Sequence, residues 1–276
     1  MFKKIVTHGG GAHRDDFVAV ALMIATEAPS AIVHRRDPTL EEMTDVNTAV
    51  IDVGGGADGV HCFDHHQLTK ESTICSVTLV LGYLKLLELG RKVWKWLGAT
   101  ERLDTQGPFK SASHYGIKPE LFLELMSPVE GWILRMFGDT TLIVPGDDFH
   151  RLLASFGKSL IKQLADMRVR LDLLKEVASI RTVKSLTVLD ATKISRDQKP
   201  AFGLDEFLEG SDEVAVTITQ DERGQGLCLF RRNDHPRVNF ARLIGKAGVV
   251  FAHTGGFVVK TKADADVAKL LEEAIA

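Results

Sequence analysis

An apolar strand, a glycine-rich loop and a long apolar stretch follow one another at the start of the chain. Ile5 and Val6 precede the loop from His8 to His13, whose centre is three consecutive glycines, and residues 17–24 are apolar without interruption. This order predicts a buried strand, a loop and a helix, with Asp15 at the crossover beside the two histidines. Strands and helices continue to alternate over about the first 90 residues, which predicts an α/β fold with a parallel sheet.

Two further strand ends carry polar side chains of the same kinds. Asp52 follows the apolar residues 49–51 and precedes three glycines, and the triplet Asp64-His65-His66 follows Cys62 and Phe63. In an open α/β sheet, ligands bind outside the carboxyl ends of the parallel strands. We therefore expect the three loops to converge at one edge of the sheet.

Carboxylate and imidazole groups at one place are the ligands of a two-metal site. Two divalent cations about 3.5–4 Å apart can clamp the attacking and leaving oxygens of a displacement at phosphorus when a carboxylate bridges them. Mixed ligation of this kind favours manganese over calcium, while magnesium, the alternative, prefers oxygen ligands. Any one of these residues could have a purely structural role, but three strand ends together predict a metal site. The candidate ligands are His8, His13, Asp15, Asp52, Asp64 and His65.

Composition excludes several classes of protein. The chain has 276 residues, of which 45% are hydrophobic and 26% charged, with a net charge of −3. It has neither the basic bias of a dedicated nucleic-acid binder nor an apolar run long enough for a bilayer, and its first residues do not resemble a signal peptide. Three widely spaced cysteines without a Cys-x-x-Cys pair argue against a disulfide framework or a zinc knot. We expect a cytoplasmic protein with reduced cysteines and no membrane partner.

The middle of the chain predicts helices and one loop. A helix is expected over residues 74–89, shorter helices over 120–126 and 129–137, and a loop at Gly107-Pro108 that would put Asp104 at the end of an element. Apolar residues spaced three or four apart predict a long amphipathic helix over residues 156–178. We predict that this helix, bounded at 156–179, connects a first domain, 1–155, to a second, 180–276.

The last hundred residues predict a smaller α+β domain. Helices are expected near residues 238–244 and from 263 onwards. Strands are expected at residues 185–189, 214–220, 226–231, 248–253 and 257–259.

A basic cluster in this second domain is a candidate substrate site. Arginines beside a glycine turn with exposed N–H groups can hold a phosphate. An ordinary solvated basic surface explains the same residues equally well, and the sequence leaves both interpretations open. The candidate substrate-binding residues are Arg231, Arg232, His253, Gly255 and Gly256, with Arg237, Arg242 and Lys246 nearby.

Four segments together resemble the DHH phosphoesterase superfamily, and within it the MYG-type (melanocyte proliferating gene) exonuclease family. A likeness extends to residues 156–173, which resemble the family's connecting helix, and to residues 248–258, which resemble its terminal Phe-x-His-x-x-Gly-Phe segment. The four segments are Thr7-His8 to His13-Arg14-Asp15-Asp16, His34-Arg35-Arg36-Asp37-Pro38, Ile51-Asp52-Val53-Gly54-Gly55, and Phe63-Asp64-His65-His66-Gln67.

The resemblance implies a parallel-sheet domain with two metals and a smaller domain that closes over the substrate. It implies that His8, His13 and Asp52 hold one metal. Asp15, the bridging Asp52, His65 and a later aspartate would hold the other. It further implies that Asp64 orients its neighbours by hydrogen bonding and that His66 faces the substrate phosphate.

The chain departs from the family pattern at two places. Where the family has Asp-Asn-Gly, this chain has Asp104-Thr105-Gln106-Gly107, and Asp139, which precedes a threonine, is the rival. We choose Asp104, because its distance from the connecting helix fits the family better. The family's glycine-rich stretch near the C-terminus is replaced by residues 258–260, which puts a substrate role of that loop in doubt.

The resulting hypothesis is a two-metal phosphodiesterase in which a metal-bound water attacks phosphorus in line. The resemblance implies 3′–5′ exonuclease activity on single-stranded RNA or DNA. A phosphodiesterase or phosphatase for small nucleotides is the alternative, which the modest net charge favours slightly. A non-catalytic nucleotide-binding module is an alternative of another class.

Overall fold

The chain divides into two units. The computed structural model describes residues 1–56, 58, 60–69, 71–124 and 127–276. Backbone contacts separate Met1–Asp166 from Met167–Ala276. The division falls inside a helix, Asp148–Val177, that begins eight residues before the predicted start at 156. The predicted domain limits at 155 and 180 remain predictions.

The first unit is built on a five-stranded sheet with the order β4-β3-β1-β2-β5. Strands β1 to β4 are parallel, and β5 joins the edge antiparallel to β2. The α/β prediction with a parallel sheet is confirmed. The carboxyl ends of β1, β3 and β4 therefore meet at one edge. The strands are β1 Lys4–Thr7, β2 Ile32–Arg35, β3 Thr48–Ile51, β4 Cys62–Phe63 and β5 Leu142–Ile143.

Among the described residues, seven helices begin in the first unit, and the last of them extends into the second unit. They are α1 Arg14–Thr26, α2 Ser76–Tyr83, α3 Leu87–Val93, α4 Lys95–His114, α5 Pro119–Glu124, α6 Pro128–Asp139 and α7 Asp148–Val177.

Helix α1 lies in the centre of the first core. Every residue from Phe17 to Ile24 is buried, as expected of a helix that is apolar all round. Helix α7 passes so close that a Cβ at Gly157 would collide with the carbonyl oxygen of Ala21. Glycine at this position therefore allows two helix backbones to touch.

Two sequence expectations for this unit differ in detail from the structure. The single helix predicted over residues 74–89 is divided into α2 and α3. No separate loop forms at Gly107-Pro108, but Gly107 has non-helical backbone angles, with a φ of +77°, and divides α4 into two helical segments at a kink, so Asp104 lies near the end of the first segment. The helices predicted at 120–126 and 129–137 correspond to α5 and α6, with residues 125 and 126 outside the described residues.

The second unit is a six-stranded sheet with the order β10-β11-β9-β8-β7-β6. Among the described strands of this second sheet, β7 pairs parallel with β8 and the other pairings are antiparallel. Apolar residues of the sheet pack with Leu270 and Leu271 of the last helix. The elements are β6 Ser179–Val183, β7 Leu186–Asp190, α8 Leu204–Phe207, β8 Val214–Gln220, β9 Leu227–Arg231, β10 Val249–Ala252, β11 Val258–Thr261 and α9 Val267–Ala274.

This unit confirms the predicted smaller α+β architecture. Strand β6 was missed by the sequence analysis. The helix expected near residues 238–244 is a short 3-10 helix, Phe240–Leu243. The three cysteines are unpaired, with Cys62 and Cys75 buried. Within the described part of the chain, no helix combines the length and apolar character needed to cross a membrane.

Candidate metal centre

The loop after β1 brings two histidines and two carboxylates to the edge of the sheet. His8 follows the last residue of β1, and His13 is the N-cap residue of α1. Asp15 and Asp16 lie in the first turn of α1 and are fully buried. Asp16 Oδ1 accepts a hydrogen bond from the backbone N–H of His13 at 2.9 Å, which closes the first turn. The positive end of the helix dipole favours these carboxylates.

Asp52 lies at the centre of the site. It is the first residue after β3, it is 2% exposed, and its φ of +58° is a left-handed backbone conformation. Its Oδ2 lies 3.4 Å from His8 Nε2, and its Oδ1 lies 3.0 Å from His65 Nε2. Burial opposes ionisation, but the two imidazoles outweigh it and lower the pKa of Asp52. The two oxygens of one carboxylate thus face two different histidines.

The triplet after β4 has three different environments. Asp64 is buried, and its carboxylate accepts hydrogen bonds from the N–H of Gly55 at 2.6 Å and of His66 at 3.1 Å. The same carboxylate lies 2.6 Å from His66 Nδ1, while the His66 side chain is 64% exposed. His65 turns inward and faces Asp52. Asp64 therefore fixes the loop and the orientation of His66.

Asp104 reaches the site from helix α4. Its Oδ2 lies 2.9 Å from His65 Nε2, and its Oδ1 lies 3.4 Å from His13 Nδ1. Burial opposes ionisation of this carboxyl, but the pairing with His13 and His65 lowers the pKa of Asp104 below its usual range. Asp139, the rival from the sequence, is an exposed residue at the end of α6. The structure brings Asp104, and not Asp139, to the histidines.

The imidazole of His65 is strongly basic in this environment. Burial acts to lower its pKa, but the carboxylates of Asp104 and Asp52 outweigh that effect and raise it to about 10. The pKa of His8 is also raised to about 10, in this case chiefly by Asp16 and Asp52. In the absence of a cation, protons on these imidazoles compensate the carboxylates.

Asp15 is the least compensated carboxyl of the group. Its Oδ2 accepts hydrogen bonds from the hydroxyl of Ser76 at 2.6 Å and from the Ser76 backbone N–H at 3.3 Å. Burial, followed by repulsion from Asp52 and Asp104, raises the pKa of Asp15 well above its usual value. A buried carboxyl among like charges is stabilised when a cation is bound beside it.

The buried polar atoms of this group fit a metal ion. Several of them make no hydrogen bond of normal geometry with a described residue, although His65 Nε2 lies within ion-pair distance of Asp52 Oδ1 and Asp104 Oδ2. Such atoms would be costly to bury unless a cation bound them. They are His8 Nε2, Asp15 Oδ1, Asp52 Oδ1, His65 Nε2 and Asp104 Oδ2.

Three sets of potential ligand atoms occur here, and within each set the atoms lie within 4.8 Å of one another. The first comprises His8, His13 and Asp52, the set that the family resemblance implies for one metal. Asp52 recurs with His65 and His66, and His13 recurs with Asp15 and Asp104. Residues found in two sets are suited to lie between two cations.

Asp16 and Arg35 support the site and were not assigned by the sequence analysis. Asp16 Oδ2 lies 3.1 Å from His8 Nε2 and 3.6 Å from Arg35 Nη2. The Arg35 side chain, 1% exposed, also donates to the carbonyl oxygens of Phe137 at 2.7 Å and Gly10 at 3.1 Å. It thus holds the glycine loop beside His8. The only sequence feature that could have indicated the role of Asp16 is its position directly after Asp15.

A further acid and histidine group, comprising Asp58, His61 and Cys62, has a structural explanation. Asp58 Oδ1 accepts the backbone N–H groups of Val60, His61 and Cys62 at 2.8 to 2.9 Å. These bonds tie the Asp58 carboxylate to the residues at the start of β4.

The predicted substrate residues of the second unit have structural partners. Arg231 donates to the Val238 carbonyl at 3.0 Å and to Asp234 at 2.7 Å, and Arg232 donates to the Ser211 carbonyl at 3.0 Å.

The glycine turn differs from the expectation that its N–H groups are exposed for a phosphate. The N–H of Gly255 donates to His253 Nδ1 at 2.9 Å, and that of Gly256 donates to the His253 carbonyl at 2.8 Å. Both donors are therefore used within the turn. A role in substrate binding for these residues and the two arginines remains a prediction.

Two solved structures can be compared with this one over nearly the whole chain. A pGpG-specific phosphodiesterase, PggH, from Vibrio cholerae gives a TM-score of 0.32 at 14% identity, covering 98% of this chain and 96% of the other. The DHH domain of PF0399, described as a member of a family of ribosomal proteins, gives 0.33 at 15% identity, covering 98% and 85%. Scores this low do not establish a shared fold.

Comparison with known sequences finds proteins that are similar to the N-terminal segment. The MYG1 protein C694.04c of Schizosaccharomyces pombe is 41% identical over 66 residues, which is 23% of this chain and 19% of that protein. The MYG1 protein YER156C of Saccharomyces cerevisiae is 41% identical over 69 residues, 24% of this chain and 20% of that protein. The matched segment thus spans about a fifth of these relatives.

A family profile covers the same part of the chain. Residues 4–80 match the sequence profile MYG1_exonuc, described as the uncharacterised protein family UPF0160. The matched range includes all six candidate ligands that follow strand ends, namely His8, His13, Asp15, Asp52, Asp64 and His65. The match confirms for that segment the resemblance to the MYG-type family.

Proposed function

We propose that this protein is a metal-dependent phosphoesterase that hydrolyses phosphodiester bonds with two divalent cations. The observation that carries the proposal is the position of Asp52, whose two carboxylate oxygens face His8 on one side and His65 on the other. A bridging carboxylate between two sets of ligands is the central requirement of a two-metal site. The unpartnered buried atoms around it support the same conclusion.

Six residues would hold the cations. His8, His13 and Asp52 form one ligand set. Asp15, Asp52, His65 and Asp104 form the other, in which Asp104 approaches His65 to 2.9 Å. Imidazole and carboxylate ligands together suit manganese, with magnesium as the alternative. Cations bound in this way lower the pKa of a bound water and neutralise charge on the phosphoryl oxygens.

The remaining residues of the triplet would act on the substrate and on the loop. His66 is exposed, and its Nδ1 is held by the Asp64 carboxylate at 2.6 Å, which leaves Nε2 to point outward. A histidine paired with a carboxylate can donate a hydrogen bond or a proton to a phosphate oxygen. A cavity of about 590 Å³ lined by His8, Asp52, Asp64 and His66 gives a phosphate access to this side of the site.

The finer proposal is 3′–5′ exonuclease action on single-stranded RNA or DNA. It rests on the family resemblance, since the fold itself does not define the substrate. Hydrolysis of small nucleotides is the second candidate. It is favoured by the net charge of −3 and by the engagement of Arg231 and Arg232 with protein partners.

One set of incubations tests the proposal. Purified protein is supplied with manganese and with end-labelled RNA, end-labelled DNA and dinucleotides in parallel. Exonuclease action predicts stepwise shortening of the labelled polymers, and their affinity should fall steeply as salt rises, whereas that of a dinucleotide should fall much less. Hydrolysis of dinucleotides alone supports the second candidate.

The variant Asp52→Ala tests the role of the shared carboxylate. It should abolish hydrolysis, because it removes the carboxylate shared by both ligand sets. Turnover near that of the wild type in a folded Asp52→Ala protein would refute the proposal. A protein that binds nucleotides but takes up no metal under any loading condition would instead be a non-catalytic binding module.

A further inference from the structure

A second cavity reaches the proposed metal ligands from the side of helix α4. Its volume is about 320 Å³, and its walls include His13, Asp15 and Asp104. These residues form one of the three ligand sets, so a cation bound there would occupy the inner corner of the cavity. The rest of the space is far larger than an ion.

The remaining walls of this cavity are mainly apolar. Ala12, Leu103, Pro108 and Leu134 line it. Leu103 is half-buried and, unlike Leu134, lies outside the packed core of the first unit. A side chain in this position contributes more to the lining of a cavity than to core packing.

The polar groups of the walls other than the proposed metal ligands are already engaged in hydrogen bonds with the protein. Arg14 donates to the two carboxylate oxygens of Glu130 at 2.6 and 2.7 Å and to the Thr100 hydroxyl at 3.1 Å. The Thr100 hydroxyl in turn donates to the carbonyl of Trp96 at 3.1 Å. Each nitrogen of the guanidinium is thus engaged, and a ligand would meet apolar surface and a neutralised ion pair.

The same ion pair limits the depth of the cavity. Beyond Arg14 and Glu130 lies a separate apolar cavity of about 420 Å³, which shares these two residues and Leu134 with the first. A long alkyl chain that entered beside Asp104 would meet the paired charges before it reached that second space. A compact ring system would not need to pass them.

The two sides of the metal site differ in character. The cavity of about 590 Å³ on the His66 side is lined by carboxylates, by histidines and by Gly54 and Gly55, which suits a phosphate. The cavity on the Leu103 side is apolar and, at about 320 Å³, lies at the lower end of the roughly 300–1,000 Å³ range of small-molecule sites. His13 lines both.

We propose that the cavity lined by Leu103, Pro108 and Leu134 binds one nucleobase of the substrate while the attached phosphate lies at the metal ligands. This inference rests on the proposed phosphoesterase function and adds the substrate class and the position of the base. Because Arg14, Thr100 and Glu130 are already engaged with protein partners, the apolar part of the site binds the faces of the base and does not read its edges. Adenine, guanine, cytosine and uracil nucleotides should therefore be bound with similar affinity.

The test measures binding and does not require turnover. Adenosine 5′-monophosphate and ribose 5-phosphate are titrated by calorimetry into the manganese-loaded protein. Both carry the same phosphate, so the difference in their affinity reports the base. We expect the adenosine nucleotide to bind about tenfold or more tightly, as base stacking contributes in other single-strand binders.

Two matched variants test where the base binds. Leu103→Trp fills the proposed site, whereas Leu152→Trp makes the same change in the neighbouring cavity beyond the ion pair. The advantage of the adenosine nucleotide should disappear in the first variant and persist in the second, with metal content unchanged in both. Equal affinity for the two compounds in the wild type would overturn the inference, and this comparison needs no variant to fold. Persistence of the advantage in folded Leu103→Trp protein would overturn it as well.

Parallel hydrolysis assays separate this inference from the proposed function. Hydrolysis without any advantage of the adenosine nucleotide would leave the phosphoesterase standing and remove the base site. An advantage that Leu103→Trp abolishes, in a protein that hydrolyses nothing, would establish the base site and refute the phosphoesterase. Preferential binding of a phosphate ester with an alkyl chain over the adenosine nucleotide would overturn the nucleobase assignment.

Discussion

Asp104 Oδ2 lies 2.9 Å from His65 Nε2, which joins helix α4 to the loop after β4. The second of the two proposed ligand sets depends on this contact. Replacing Asp104 with Asn should weaken metal binding by about 10–100-fold or more, since even residues that only orient metal ligands have effects of that size. Asp139→Asn is the matched control and should bind metal like the wild type. Equal losses in the two variants, measured by competitive metal titration, would show that Asp104 has no special role.

The buried Arg35 should stabilise the protein through Asp16 and the glycine loop. Arg35→Leu removes the cation beside a fully buried carboxylate and two hydrogen bonds to carbonyl oxygens. We expect the free energy of unfolding to fall by about 3–5 kcal/mol, as for other broken buried ion pairs. Arg151→Leu alters an exposed arginine and should change it by less than about 0.5 kcal/mol. Denaturant unfolding measures the free energy of unfolding of both variants. A similarly small loss in the two variants would contradict the proposed support of the glycine loop by Arg35.

Gly157 should not tolerate a side chain. An added Cβ would overlap the carbonyl oxygen of Ala21, so Gly157→Ala should destabilise the protein by about 1–3 kcal/mol through forced separation of α7 from α1. Gly98 lies in α4 with no atom within 4 Å of such a Cβ. Gly98→Ala should therefore stabilise by about 0.5–1 kcal/mol through helix propensity. Thermal unfolding of both variants should show a lower melting temperature for Gly157→Ala and a higher one for Gly98→Ala. A higher melting temperature for Gly157→Ala would show that α7 and α1 are not in contact at this position.

Glu42 should contribute to the pH dependence of stability on the acid side. Hydrogen bonds from Arg36 at 2.8 Å, with others from Thr39 and Lys4, lower the pKa of Glu42 well below its usual value. A depressed folded-state pKa means that the contribution is fully present above the unfolded value of about 4.3 and is lost as the pH falls below it. Glu42→Gln should therefore lose stability at neutral pH and show a weaker decline on acidification. An unchanged difference between the two proteins at every pH would contradict this assignment.

Local patterns in the sequence predicted the early part of the site well. Apolar strands followed by glycines placed His8, Asp52 and the triplet at strand ends, because the parallel sheet brings consecutive strand ends to one edge. The Gly107-Pro108 pair placed Asp104 at the end of an element, but its choice as a ligand came from the family resemblance. Gly107-Pro108 is locally typical of a loop, yet the first helical segment of α4 is what presents Asp104 to His65.

Contacts that residue types do not reveal explain the remaining differences between the sequence predictions and the structure. Arg35 and Asp16 are ordinary charged residues in the sequence, and only the packing of α6 against the glycine loop buries them together. In the second unit, the N–H groups of Gly255 and Gly256 looked available, but the imidazole and carbonyl of His253 accept both. The pairing of Gly255 depends on the rotamer of His253 and that of Gly256 on the backbone of the turn, and residue types alone define neither.

The number of cations held around Asp52 tests the central claim most directly. Manganese should be counted per chain by elemental analysis, and its magnetic coupling recorded by electron paramagnetic resonance, in the wild type and in Asp52→Ala. The two-metal account predicts two coupled manganese ions per wild-type chain, and the loss of both the coupling and at least one ion in the variant. One uncoupled ion in the wild type, or two coupled ions that persist in folded Asp52→Ala protein, would contradict it.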